Sequence, residues 1–110
     1  MELDDSLKNI VQMILMFKSL QVTTLKLKKC SLQDPRSQTT LFREPKHLVI
    51  IDTFIKFQTD YEMLAETVKI SGSTVFTCPG LSFRKCWQFS VTKSHVNNPE
   101  FVHKPLSSEL

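Results

Sequence analysis

The chain has 110 residues, 41% of them hydrophobic and 23% charged, which suits one globular domain with one core. Its formal net charge of +3 is too small to indicate nucleic-acid or membrane binding on its own. An odd number of cysteines, three, argues against a disulfide-stabilised secreted domain. The apolar run at 10–17 is too short to cross a bilayer and has no signal-peptide cleavage site, so we expect a cytoplasmic or nuclear protein.

The N-terminal segment has the periodicity of a helix. Its apolar residues recur at spacings of four and three: Leu3, Leu7, Ile10, Ile14 and Phe17. Between residues 11 and 17 the segment is apolar on nearly every side, which is typical of a helix buried on more than one face. We therefore expect Met13, Met16 and Leu20 to contact either the core or a protein partner.

The middle of the chain alternates between strand and helix signals. Residues 23–29 have the period of a half-buried strand, and residues 31–40 read as a polar loop without core side chains. Residues 47–57 are rich in β-branched side chains and predict a strand. A capping box at 59–62 predicts a helix over 60–70 that ends at Gly72, although a single long helix from Pro45 fits nearly as well.

The C-terminal half predicts a hairpin followed by a tail. Residues 74–78 and 82–92 read as two strands around a Pro-Gly turn, with Phe83, Lys85, Trp87 and Phe89 on one face of the second. Periodicity stops at Ser94, so residues 94–110 predict a flexible tail after a domain at 1–93. No internal repeat is evident at this level.

Two short patterns are candidates for a catalytic site or a metal site. Cys78 and Arg84, with five residues between them, resemble the phosphate loop of cysteine phosphatases, but Gly80 is misplaced and Pro79 removes a backbone donor. The spacing of Cys78, Cys86, His95 and His103 lacks the close ligand pairs of structural zinc sites. We therefore predict no catalytic residue, no metal and no cofactor.

Two further patterns indicate binding. Arg84, Lys85 and Trp87 interleave basic and aromatic side chains, as on strands that stack unpaired bases. The C-terminal residues Ser108 and Leu110 fit a ligand of PDZ-type domains, which bind a free carboxylate and a hydroxyl two residues before it.

These observations predict an α+β fold with an N-terminal helix, a second helix and a small, mostly antiparallel sheet of three to four strands. The predicted function is a small non-catalytic adaptor or accessory subunit. It would bind a protein through the apolar helix face and its C-terminus. A nucleic-acid-binding module is the alternative, and a cysteine phosphatase-like enzyme is a more distant one.

Overall fold

A computed structural model describes residues 2–4, 22–58, 62–78, 81, 83 and 85–97. The elements of this part are, in chain order, β1 (Glu2–Asp4), β2 (Thr24–Lys28), β3 (Ser31–Leu32), α1 (Pro35–Phe42), β4 (His47–Ile51), β5 (Phe54–Lys56), β6 (Thr67–Ser71), β7 (Thr74–Phe76), β8 (Gln88–Thr92) and β9 (His95–Val96). Sheet A has the order β1-β2-β4-β6-β8, and sheet B has the order β3-β5-β7-β9. Every pair of neighbouring strands in these two sheets is parallel.

The described chain winds as a parallel β-solenoid in which each turn adds one strand to each sheet. Leu25, Leu48, Val68 and Phe89 lie side by side in register, although they are 23, 20 and 21 residues apart in the chain. The four turns share an eleven-residue pattern at 22–32, 45–55, 65–75 and 86–96. In each stretch the first, fourth, sixth and eleventh residues are apolar, and the ninth is Cys, Thr or Ser.

The alternation along each strand places one row of side chains in the core. The inward residues of β2, β4 and β6 are all at most 3% exposed: Leu25, Leu27, Leu48, Ile50, Val68 and Ile70. Sheet B adds Leu32, Ile55 and Val75, and the connections add Phe42, Phe57, Met63 and Phe83. Burial of one such aliphatic side chain stabilises the fold by about 1.5–3 kcal/mol, so these rows hold the two sheets together.

The corner between the two strands of a turn has a left-handed backbone. Lys29, Asp52, Gly72 and Lys93 have φ values of 57°, 47°, 60° and 51°. Their amides continue the sheet ladder, since those of Lys29, Asp52 and Gly72 donate to carbonyls of the next turn at 2.9–3.0 Å. A residue in this conformation interrupts the extended backbone, so the strand of sheet A ends there and the strand of sheet B begins after it.

A row of hydroxyl groups follows the corner and links successive turns. The Thr53 amide donates to Ser73 Oγ at 3.0 Å, and the Ser73 amide donates to Ser94 Oγ at 2.9 Å. Each hydroxyl also donates to the carbonyl two residues before it: Thr53 to Ile51, Ser73 to Ser71 and Ser94 to Thr92. The Cys30 amide joins the row by donating to Thr53 Oγ1 at 3.3 Å. We call this row the hydroxyl ladder. It satisfies backbone groups that the corner would otherwise leave buried without partners.

The connection between the first two turns contains α1. Pro35 suits the first helical position, because it lacks the amide that would have no intrahelical partner there. The side chain of Gln38, fully buried, donates to the carbonyls of Leu32 and Lys56 and accepts from the Gln58 amide. Gln38 therefore fastens α1 to the ends of β3 and β5.

The α+β prediction with a mostly antiparallel sheet is wrong, because the described strands pair only in parallel. The predicted helix over 60–70 is wrong as well, since β6 begins at Thr67 and its Val68 and Ile70 alternate with exposed Lys69. The predicted hairpin is wrong because β7 and β8 belong to different sheets. Alternation indicates which face of a strand is buried, but it does not specify the partner strand or its direction.

Of the remaining sequence predictions, some are confirmed and others are wrong. The strand at 23–29 is confirmed as β2, and the strand at 47–57 is confirmed as β4 and β5 with a corner at Asp52, which excludes the single long helix. Residues 31–40 are not a loop without core side chains, because Leu32 and Gln38 are buried. The chain does contain internal repeats. Of the predicted N-terminal helix, residues 2–4 form β1 and the remainder lies outside the described residues.

Candidate binding face

The outward face of sheet A is a regular surface shared by four parallel strands. Twelve side chains of β2, β4, β6 and β8 point away from the core, and each is half-buried or exposed. They form three rows that run across the strands: Thr24, His47, Thr67 and Gln88; Lys26, Val49, Lys69 and Ser90; and Lys28, Ile51, Ser71 and Thr92. We call these twelve positions the outer face.

The middle row brings two lysines to either side of an aliphatic side chain. Lys26, Val49 and Lys69 are direct neighbours in register on β2, β4 and β6. Parallel strands lie about 4.8 Å apart, so the backbones of the two lysines are about 10 Å apart. The third row repeats half of this arrangement, with Lys28 beside Ile51. The centre of the outer face is therefore aliphatic, and it has cationic flanks.

Charge on the outer face has one sign. Among its twelve positions there are three lysines and no Asp or Glu. On β1, Glu2 lies beside Lys26 in register and Asp4 lies beside Lys28, which places an acidic residue next to each of these two lysines. Lys69 has Val49 and Ser90 as its neighbours in register on β4 and β8. The positive potential is therefore least offset at Lys69.

A hydrogen bond fixes the first row at its centre. His47 Nδ1 and Thr67 Oγ1 are 2.8 Å apart and join β4 to β6 on the outward side. The pair orders two polar groups at the edge of the aliphatic centre, where they can exchange hydrogen bonds with a bound backbone.

Trp87 lies at the entrance to β8, next to the first row. Its side chain is 58% exposed, and its amide donates to the Glu66 carbonyl at 2.9 Å. Exposed tryptophans are enriched among the residues that dominate binding energy at protein interfaces. The bonded backbone holds Trp87 at the rim of the outer face.

The sequence-predicted nucleic-acid residues do not form the expected platform. Trp87 and Lys85 are exposed, whereas Phe83 is 3% exposed and packs edge-to-face on Phe89 with ring centroids 5.5 Å apart. The strand begins only at Gln88, so the residues before it do not follow strand alternation. Arg84, like Met13, Met16, Leu20, Ser108 and Leu110, lies outside the described residues.

The two cysteine patterns do not form a metal site or a catalytic site among the described residues. Within the described ranges, no group of three or more His, Cys, Asp or Glu side chains is placed to hold a metal. Cys86 is buried in the core, and burial raises the pKa of its thiol, partly offset by a backbone hydrogen bond at Gln88. A thiol with a raised pKa is a poorer nucleophile at neutral pH than a free one. Gly80 and Arg84 of the phosphatase-like pattern lie outside the described residues.

Protein-family models, curated proteins and solved structures give no match to this chain. In the described part of the chain, no helix combines the length and the hydropathy that crossing a membrane requires.

Sequence reasoning missed the outer face because it treated each strand separately. Lys26 and Lys28 lie in one predicted strand, Val49 in another and Lys69 in the predicted helix, so these predictions give the four residues no common geometry. The signal that finds the face is the shared spacing of 22–32, 45–55, 65–75 and 86–96, which places the fifth residue of each stretch in one row.

Proposed function

We propose that the chain is a non-catalytic protein-binding module that uses the outer face of sheet A. The supporting observation is the alignment of twelve half-buried or exposed side chains on four parallel strands, with an aliphatic centre and ordered polar edges. Solenoid proteins bind partners through extended surfaces of this kind, because stacked repeats present equivalent positions side by side. The three free cysteines favour a reducing compartment, the cytosol or the nucleus.

The repeat spacing supports the same proposal. The four stretches resemble the pattern L-x-x-L-x-L-x-x-N/C-x-L of leucine-rich repeats, in which about 20–29 residues form one turn and the strands line one face. Here the ninth residue is Cys30, Thr53, Ser73 or Ser94, so hydroxyls replace the usual side chain at three of the four positions. The resemblance concerns architecture, and the proposed binding depends on the residues of the outer face itself.

The test compares capture of proteins from a cell lysate by the full chain and by two variants. Val49→Glu places a charge at the aliphatic centre of the outer face. Thr74→Glu makes a similar change at an outward, half-buried position of sheet B. We expect partners that survive nuclease treatment to be lost on Val49→Glu and retained on Thr74→Glu, with both variants unfolding at the wild-type temperature. Equal capture by the two variants would contradict the proposal.

Nucleic acid remains a second candidate because of one observation, the exposure of Trp87. In the same experiment, capture that depends on nucleic acid would disappear with nuclease and on the double change Lys85→Ala and Trp87→Ala. A binder of this type would also show a steep dependence on salt.

A further inference from the structure

The charge pattern of the outer face indicates what kind of protein segment it takes. Three lysines and no carboxylate occupy the twelve positions, and Lys26 and Lys69 stand on either side of Val49. A ligand complementary to this row presents an apolar side chain with carboxylates on both sides. We propose that the outer face binds an acidic segment of a partner protein in which Asp or Glu residues flank an apolar residue. This inference rests on the proposed function.

The dimensions of the row fit an extended segment. The lysine backbones are about 10 Å apart, and successive residues of a strand rise by about 3.3 Å. Side chains of an extended segment alternate between two faces, so carboxylates four residues apart lie on the same face as the side chain midway between them. They can reach both ammonium groups while that side chain contacts Val49. Ile51, in the neighbouring row, extends the aliphatic contact, and Lys28 lies between Ile51 and the acidic residue Asp4 in register.

The two lysines are not equivalent. Glu2 lies beside Lys26 in register and competes with a ligand carboxylate for it, whereas Lys69 lies between Val49 and Ser90. A ligand carboxylate gains more from an ammonium group that has no acidic neighbour in register than from one that is already partly neutralised. Reversal of charge at Lys69 should therefore weaken binding more than the same reversal at Lys26.

The centre of the face favours a protein segment over nucleic acid. None of the twelve side chains is Phe, Tyr or Trp, and Trp87 lies outside the three rows. Single-stranded nucleic acid is held by stacking on aromatic side chains along a continuous basic groove. Val49 and Ile51 offer aliphatic contact instead, which matches the apolar core of protein interfaces.

The experiment uses a random peptide library displayed on phage, selected on the full chain and depleted on the Val49→Glu variant. We expect the retained peptides to be enriched in Asp and Glu around an apolar residue. Measured by fluorescence polarisation, their affinity should fall at least about tenfold on Lys69→Glu, less on Lys26→Glu, and remain unchanged on Lys56→Glu. Lys56 is the matched control, because it is an exposed lysine on β5 of sheet B.

The outcomes separate this inference from the proposed function. Retained peptides without acidic enrichment, which still lose binding on Val49→Glu, would overturn the acidic segment and leave the binding face intact. A selection that retains no face-dependent peptide would overturn both. Displacement of the retained peptides by a single-stranded oligonucleotide at stoichiometric concentration would overturn the protein segment in favour of nucleic acid.

Discussion

The third and fourth turns of the solenoid have the same pattern but different surroundings. In the third turn, Val68, Ile70 and Val75 are at most 2% exposed. Their counterparts in the fourth turn, Phe89, Val91 and Val96, are only half-buried. The difference follows from position, because β6 and β7 have a strand on both sides whereas β8 and β9 have one described neighbour each. In a solenoid, burial depends on adjacent turns as much as on the side chain itself.

The largest expected effect on stability concerns two valines, one in the third turn and one in the fourth. Val75 and Val96 are partners in register on β7 and β9. We expect Val75→Ala to lower the free energy of unfolding by about 2–3 kcal/mol, because it leaves a cavity in a closed core. Val96→Ala should cost about 1 kcal/mol or less, since its site is partly open. Urea denaturation followed by circular dichroism measures both, and equal costs would contradict the comparison.

The hydroxyl ladder gives the second comparison. Ser73→Ala removes the acceptor of the buried Thr53 amide, and Ser94→Ala removes that of the part-buried Ser73 amide. We expect a loss of about 2 kcal/mol for the first and about 1 kcal/mol for the second, because an unsatisfied buried amide keeps its full desolvation cost. Ser73→Thr is the control. Thr occupies the same place in the preceding turn at Thr53, so this variant should keep most of the stability.

The corner positions should respond with opposite signs. Gly72 has a positive φ, and an added Cβ would meet the Asp52 carboxylate. We expect Gly72→Ala to cost about 1–2 kcal/mol, because the new side chain combines an unfavourable backbone conformation with a clash. Lys93 has the same conformation without being glycine. Lys93→Gly should raise the free energy of unfolding by about 0.5 kcal/mol, because relief of backbone strain slightly exceeds the added freedom of the unfolded chain. Destabilisation by Lys93→Gly would show that its side chain has a packing role.

The smallest effect concerns pH. Cys86 begins the fourth turn at the position held by Pro45 and Ala65 in earlier turns, so only this turn carries a titrating group there. Burial raises its pKa above the ordinary value of 9.0. The folded state therefore holds the proton longer than the unfolded state does, and stability falls as pH rises above about 9. Unfolding curves across this range should slope downward more for the wild type than for Cys86→Ala. Parallel slopes would show that the thiol is not buried enough to matter.

The positions of individual strands can be predicted from the sequence more reliably than the way in which the strands pair. β2, β4 and β5 follow from alternation and β-branched side chains, which are local signals. The prediction of a helix over 60–70 is wrong because local signals there are ambiguous. A capping box at 59–62 favours a helix, whereas the alternation around Val68 favours a strand. Parallel pairing joins residues about twenty positions apart, so it becomes visible only when the four stretches are aligned.

The outer face likewise combines features that the sequence predicts with features that depend on strand pairing. Lys69 and Val49 carry no motif of their own, and their proximity arises from register alone. The residue type of Trp87 predicts a binding role, but its separation from Phe83 and Phe89 depends on where β8 begins. Residue chemistry can be read from sequence at single positions, whereas the rows of the face require the topology.

The unequal connections have a consequence for how such a chain can diversify. The stretch from β3 to β4 is longer than the later ones and accommodates α1, yet β2 and β4 keep the same register as the shorter turns do. Gln38 anchors the extra residues to carbonyls at the ends of β3 and β5, on the side away from the outer face. Insertions and deletions in the connections are thus insulated from the outer face, so its twelve positions can vary by substitution alone while the rear of the molecule changes length.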